Sequence, residues 1–353
     1  MTPPLRRLYA VLEKKHLDAL LISHQPNITY LTGFLSSDSY LLITARKNFF
    51  ITDTRYYEQA RSALKGFKIK LGGKSIFSAI AELAASCQVK RLGFEARNLD
   101  VSQYHKIKKF LTDQDIRFTA TQNIIEELRK LKSRDELLKI RKAVNISVGA
   151  LKFARRIIRA GRREIEIAAE LERFIRYNGA RAASFETIVA SGKNTAFAHH
   201  LTSRRRIQQS EPVFIDLGVD YLGYKSDLTR VFFLGKIPST IRVIYDVVLQ
   251  AQTIAINKIK PGIKICEVDK SARQHIANKG YGGFFGHNLG HGIGLEIHEK
   301  PSISALNKES ITEGMVFSVE PAVYLPGRFG IRIEEDILVT KKGCEVLSDS
   351  LDK

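Results

Sequence analysis

Two aspartates interrupt the apolar run of VFIDLGVDYLGYKSDLTRVFFL, residues 213–234. The segment reads as a β-hairpin around a short turn at Tyr221-Leu222, because β-branched and aromatic residues fill both arms. A two-residue turn there sets Asp216 opposite Asp227 on one face. Like charges directly opposed destabilise a strand pair, and burial raises the pKa of at least one of them. A cation between the carboxylates removes the conflict. The other solution turns one Asp into the loop and leaves its partner solvated, with no ion needed.

Two further segments carry the same kind of tension. In GYGGFFGHNLGHGIGLEIHE, residues 280–299, seven of the fifteen residues from 280 to 294 are Gly. His287 and His291 therefore sit on tight turns rather than on a helix face, with His298 at the end of a short strand-like stretch. Three His in so glycine-rich a segment suit metal binding or proton handling. In MVFSVEPAVYLPGRFGIRIEEDILV, residues 315–339, Glu320 ends an apolar strand that Pro321 stops. Strand alternation puts Arg332, Glu334 and Asp336 on one face, with Ile331, Ile333, Ile337 and Val339 on the other. Glu335 falls on the apolar face, where a strand-edge acid would pair with a Lys or Arg. The pattern leaves open whether Glu334 or Glu335 meets a metal. Two Asp, one His and two Glu suit two divalent ions better than one, and Mn²⁺, Co²⁺, Fe²⁺ and Zn²⁺ all fit such a donor set. Such a pair lowers the pKa of a shared water from 15.7 toward about 7, which points to metal-assisted hydrolysis.

The remaining sequence places these segments in a second domain. Residues 1–125 alternate strand and helix patterns, which predicts a smaller α/β domain with a mixed sheet. Strands are expected at Leu17–Ile22, Tyr40–Thr44, Asn48–Ile51, Arg91–Phe94 and Ile116–Thr119, with helices at Pro4–Lys15, Thr54–Lys65, Ser75–Cys87 and Val101–Phe110. Ser133-Arg134-Asp135-Glu136 is a capping box for a helix reaching about Arg159. Further helices are expected at Arg163–Tyr177, Thr240–Lys258 and Glu267–Lys279. Residues 126–353 are read as an α+β catalytic domain.

Composition narrows the partners. The 353 residues carry a formal charge of +19, and 128–163 alone hold 13 Lys/Arg against Asp135 and Glu136. That stretch reads as one long basic helix, either a solvated face or a phosphate-binding stripe, and no recognition motif or aromatic interleaving accompanies it. Nucleic acid is not the expected partner. The longest apolar run falls short of the ~18 residues of a membrane span, and the first residues lack a signal-peptide pattern. Cys87, Cys266 and Cys344 read as free thiols of a cytoplasmic protein, which also makes the Asn27-Ile28-Thr29 sequon incidental.

The ordered set Asp216 in IDLG, Asp227 in KSDLTR, His291 in GHGIG, Glu320 in SVEP and Glu334 in GIRIEED resembles the pita-bread metallopeptidases, which include aminopeptidase P, prolidase and methionine aminopeptidase. NITYLTGF at 27–34 resembles the creatinase/prolidase N-terminal domain. The resemblance implies a C-terminal pita-bread catalytic domain in which Asp216 chelates one metal, Asp227 and Glu334 bridge the pair, and His291 and Glu320 complete the other. It thereby selects Glu334 over Glu335. It also implies Glu320 as general base and acid, His199 (in SGKNTAFAHH) as a substrate contact, and His298 as a group that stabilises the tetrahedral intermediate. His287 would lie at the pocket wall, Arg332 would hold a neighbouring or substrate carboxylate, and Phe185 and Tyr324 would line a proline pocket, with His200 a bystander. Ala322 stands where the family usually has Gly, a change expected to be tolerated.

The N-terminal domain favours a proline-directed exopeptidase over a methionine aminopeptidase. The bond before proline is a tertiary amide that other peptidases handle poorly. The resemblance thus implies short proline-containing peptides as substrates and a homodimer as the assembly. Cleavage of Xaa-Pro-Yaa peptides, as by aminopeptidase P, is the first expectation. Xaa-Pro dipeptides, as for prolidase, are the alternative, ahead of Met- or Ala-initiated peptides or a binding protein on a peptidase fold.

Overall fold

The computed structural model describes residues 2–73 and 75–353, in two compact units, 1–129 and 130–353. The first is built on a six-stranded sheet in the order Lys68–Leu71, Asn48–Thr52, Tyr40–Thr44, Ala19–Ile22, Arg91–Glu95, Arg117–Thr121. Tyr40–Thr44 runs antiparallel to both neighbours and the other pairings are parallel, so the sheet is mixed. Leu20, Leu21, Ile22, Leu41, Leu42 and Ile43 are sealed in its centre, each worth ~1.5–3 kcal/mol relative to exposure. Asp53, Ser75 and Asp100 cap the helices Thr54–Ala63, Ile76–Ser86 and Val101–Thr112 by accepting from backbone N–H groups of the first turn.

Three elements of this unit escape the sequence pattern. Gln25–Thr32 is a helix despite its Ile, Thr and Tyr, because its side chains are buried against the rest of the unit. Lys68–Leu71 is a mostly exposed strand at the sheet edge and so has no apolar run. Ile124–Arg129 is a short helix that closes the unit. Asn27 is fully buried, donating to Glu95 Oε1 at 2.6 Å and Glu126 Oε1 at 2.7 Å and accepting from Arg129 Nη1 at 2.7 Å. Those bonds leave no room for a glycan on the sequon.

In the second unit the capping box of Ser133 and Glu136 opens the helix Arg134–Ile157, and Gly179, at φ 91°, follows the end of the helix Glu164–Tyr177. The long basic helix is a correction. Only seven of its thirteen basic residues lie on Arg134–Ile157, and the charge is dispersed into ion pairs such as Lys130–Glu309, Lys132–Glu299, Arg141–Glu345, Arg155–Asp352 and Arg162–Glu170. The helices Ser239–Lys258 and Ile265–Asn278 share one apolar core with the strands Val316–Val319, Phe329–Arg332 and Glu335–Val339. Two sheets frame the site. One is three-stranded, Leu228–Phe233, Pro212–Leu217, Ile188–Ser191; the other is five-stranded, Glu299–Ile303, Gly290–Gly292, Val316–Val319, Glu335–Val339, Cys344–Val346. No helix among the described residues is long and apolar enough to cross a membrane.

Candidate active site

The aspartate hairpin forms, but two residues out of the expected register. Thr229, not Asp227, lies opposite Asp216, because the turn is at Leu222-Gly223, both with positive φ. A positive-φ pair is the turn that suits the twist of a hairpin, and Gly223 supplies half of it. A shift of two residues preserves the face, so the carboxylates remain neighbours on the diagonal. The hairpin also divides at Gly218, where an added Cβ would collide with the Ser226 carbonyl. Val219–Tyr221 and Tyr224–Lys225 then pair in a separate small sheet.

His291 arrives on the strand Gly290–Gly292, wedged between Glu299–Ile303 and Val316–Val319. A side chain at Gly290 would strike the Ser318 carbonyl, and one at Gly292 the Lys300 carbonyl. The glycines around His291 are thus what lets three backbones approach. The segment Ile331–Val339 is not one strand, a second correction. It breaks at Ile333-Glu334 into Phe329–Arg332 of a hairpin and Glu335–Val339 of the five-stranded sheet. At that break Glu334 faces the aspartates while Glu335 points away, fully buried against Arg230 Nη2 at 2.7 Å, Ser348 and Lys353. Glu335 is ion-paired, though in the interior rather than at a strand edge.

These elements line a cavity of about 510 Å³ whose walls include Asp216, Asp227, Glu320, Glu334, His199, His287, His291, His298, Arg332 and Phe185. Oxygen and nitrogen atoms of Asp227, His291 and Glu334 lie within 4.8 Å of one another. His291 Nε2 is 3.5 Å from Asp227 Oδ2 and 3.4 Å from Glu320 Oε1. In the neutral ring Nδ1 donates to the Gly292 carbonyl at 3.2 Å, which turns the Nε2 lone pair on two carboxylates. That arrangement is repulsive unless a proton or a metal ion is shared among the three. Burial drives Asp227 well above the usual carboxylate range, with Asp216 and Glu320 adding to the shift. Burial does the same to Glu334, helped by Asp227 and Glu320. Glu320 is raised by burial too, against the pull of His291 and Arg332. Asp216 Oδ1 and Asp227 Oδ1 are buried with no hydrogen-bond partner among the described residues. Buried acids short of donors, beside an imidazole lone pair, fit divalent cations.

Protein donors hold the rest. Arg332 donates to Asp216 Oδ2 at 2.5 Å, Tyr324 Oη at 2.5 Å, the Ala198 carbonyl at 3.0 Å and Thr229 Oγ1 at 3.2 Å. Thr229 Oγ1 in turn donates to Glu334 Oε2 at 2.7 Å. Tyr324 Oη accepts from Arg332 and lies 3.4 Å from His287 Nε2, both of which line the cavity; burial lifts its phenol to about 12. Burial lowers His287 and His298 to about 4 each, the first with help from Arg332 and the second from His291. His298 packs edge-on to His291 at 4.2 Å between ring centres. His200 points to Glu164 Oε2 at 3.0 Å, away from the cluster. Ala322 opens the hairpin strand opposite Arg332. Sequence reading passed over Ile188 and Ile297 as apolar wall, and Glu299, which also lines the cavity and is ion-paired to Lys132 at 2.7 Å.

The sequence profile of metallopeptidase family M24 matches residues 138–341. The chain belongs to that family. The M24 enzyme's residues 4–131 match the creatinase/prolidase N-terminal domain, so its architecture is the α+β pita-bread domain behind a creatinase-type one, as the resemblance implied. It is similar to the Xaa-Pro dipeptidase of Pyrococcus horikoshii, 35% identical over 99% of this chain and 97% of that one. Among solved structures it superposes on the Xaa-Pro dipeptidase from Bacillus anthracis with a TM-score of 0.95 at 36% identity, covering 99% and 98% of the two chains. The X-Pro aminopeptidase from Thermotoga maritima gives 0.89 at 36% identity, covering 97% of each. As a member of M24 the protein is a hydrolase that works with divalent metal ions.

Proposed function

We propose that this M24 enzyme is an Xaa-Pro dipeptidase, hydrolysing the bond before proline in dipeptides. Its similarity along the whole chain to proteins named for that activity carries the reading and moves it from the tripeptide-cleaving aminopeptidase P, first expected, to the alternative. Asp216, Asp227, His291, Glu320 and Glu334 would hold two divalent ions, Mn²⁺ being the first choice. When bound, the ions polarise the scissile carbonyl and lower the pKa of the attacking water. Glu320 takes the water's proton on the carboxylate oxygen that Ser318 Oγ does not engage, and returns it to the departing nitrogen. That nitrogen has no hydrogen of its own in an Xaa-Pro bond, so the delivered proton makes the product's secondary amine. His298, neutral at pH 7 with its pKa near 4, donates to the oxygen on which charge develops. His199 and His287 contact the substrate, while Phe185, Ile188 and Ile297 offer the proline ring an apolar wall. Arg332 keeps the Asp216 carboxylate turned into the site. The enzyme works in this reading as a cytoplasmic homodimer.

The aminopeptidase P reading rests on the Thermotoga maritima likeness at equal identity. Hydrolysis of Ala-Pro against Ala-Pro-Ala by the Mn²⁺-loaded enzyme separates the two, with Met-Ala-Ala as control. The dipeptide should be cut and the tripeptide spared. Cleavage of the tripeptide alone would make the enzyme an aminopeptidase P, and cleavage of the control alone would remove proline from the account.

A further inference from the structure

Glu320 and Glu334 both stand just beyond strand ends, outside the regular ladders, with Glu320 N–H donating to the Leu289 carbonyl at 2.8 Å and Glu334 N–H to the Thr229 carbonyl at 3.2 Å. Val316–Val319 stops before Glu320 and Phe329–Arg332 stops before Ile333-Glu334. One side chain spans the two breaks. Gln252, fully buried on the helix Ser239–Lys258 among Val248, Ala251 and Ala255, donates from Nε2 to the Val319 carbonyl at 3.0 Å and to the Ile333 carbonyl at 2.8 Å. These are the residues immediately before the two glutamates. The amide cannot flip without setting its oxygen against two carbonyl oxygens, and Lys353 Nζ donates to Oε1 at 2.7 Å, which fixes the same orientation. Arg230 secures the neighbouring backbone, donating from Nη1 to the Glu334 carbonyl at 2.7 Å. The two hydrogens of one amide thus tie together the peptides that carry both acids.

We propose that Gln252 is a positioning residue that sets the separation of Glu320 and Glu334, and through it the spacing of the metal pair. The inference rests on the reading that both glutamates hold metal. Gln252→Met keeps the length of the side chain and removes both donors. Its Mn²⁺ stoichiometry and binding constants are read by titration calorimetry, the coupling between the two ions by electron paramagnetic resonance, and its fold by circular dichroism without metal. The weaker Mn²⁺ constant should worsen by about 10–100-fold, as for other residues that orient ligands from behind. The coupled spectrum should change as well, and kcat should fall with KM nearly unaltered. Lys353→Met, at an exposed position, removes the bond to Oε1 while both carbonyl bonds stay, so the amide is held less firmly and the same constant should weaken by only about 3-fold, below the range for ligand-orienting residues. Folded Gln252→Met with wild-type constants and spectrum would overturn the proposal. If that variant does not fold, wild-type constants in Lys353→Met would overturn it instead. Asp227→Asn separates the two ideas: it should lose at least one ion, and if it keeps both, the ligand reading fails and takes this inference with it.

Discussion

Glu164 and Asp227 are both buried acids of the catalytic domain, and they are treated in opposite ways. Glu164, fully buried, receives six donors: Ser191 N and Oγ, Asn194 Nδ2, His200 Nε2, and Ser203 N and Oγ, at 2.6–3.3 Å. Burial pushes its pKa up, but the hydrogen bonds led by Ser203 and Ser191 outweigh it and the carboxyl ends below its usual value. Asp227 receives no comparable set. Its Oδ1 has no partner among the described residues, and its neighbours are Asp216, Glu320 and Glu334. The first acid is finished by the protein and braces the loop that carries Ala198 and His199. The second is left short of donors, as its proposed role as a metal ligand requires. Burial alone does not distinguish a structural carboxylate from a ligand; the supply of donors does.

That contrast can be broken by the same acid-to-amide change at both positions. Asp227→Asn should cut metal-dependent dipeptide hydrolysis by at least ~1000-fold, about 4 kcal/mol of barrier. Metal-free, it should melt no lower than wild type because a repelled charge is gone. Full activity, or a clearly lower melting point without metal, would erase the distinction. Glu164→Gln turns an acceptor into a donor facing donors and should cost about 3 kcal/mol, or roughly 6–12 °C in Tm for a domain of this size. The loss should be equal with and without metal by calorimetry; an unchanged Tm would show that the donors are dispensable.

The acid cluster should also announce itself through protons. Carboxyls with raised pKa values hold protons where ordinary Asp and Glu are ionised, and a cation must displace them. Mn²⁺ loading near pH 6 should therefore release protons, and affinity should weaken as pH falls. Titration calorimetry in two buffers of different ionisation heat counts them, and a count of zero would contradict the upward shifts of Asp227 and Glu334. The smallest effect is expected for Tyr324→Phe. Arg332 loses one of four acceptors, so kcat/KM should drop by up to ~10-fold, about 1.4 kcal/mol. A larger fall would mean that the phenol touches substrate.

Much of this site could be read from the chain because its acids stand where strands should be apolar. Asp216, Asp227 and Glu334 break hydrophobic runs, and the glycines around His291 mark close backbone approach. The register of the hairpin could not be read, since Leu222 gives no hint that it adopts a positive φ. Nor could the break at Ile333-Glu334, which follows from two sheets competing for one segment. Gln252 was visible in principle, a lone amide on the apolar stripe of its helix. Glu164 was not, because its worth depends on donors from a loop up to 39 positions away.

The cluster is drawn from stretches far apart along the chain; Arg332 and Asp216, in direct contact, are separated by 116 positions. Closing loops of that length is slow and comes after local helices have formed. An ion added at the start of refolding finds nothing assembled to bind. It accumulates on finished molecules, raising the yield of native enzyme by mass action while leaving the rate of folding as it was.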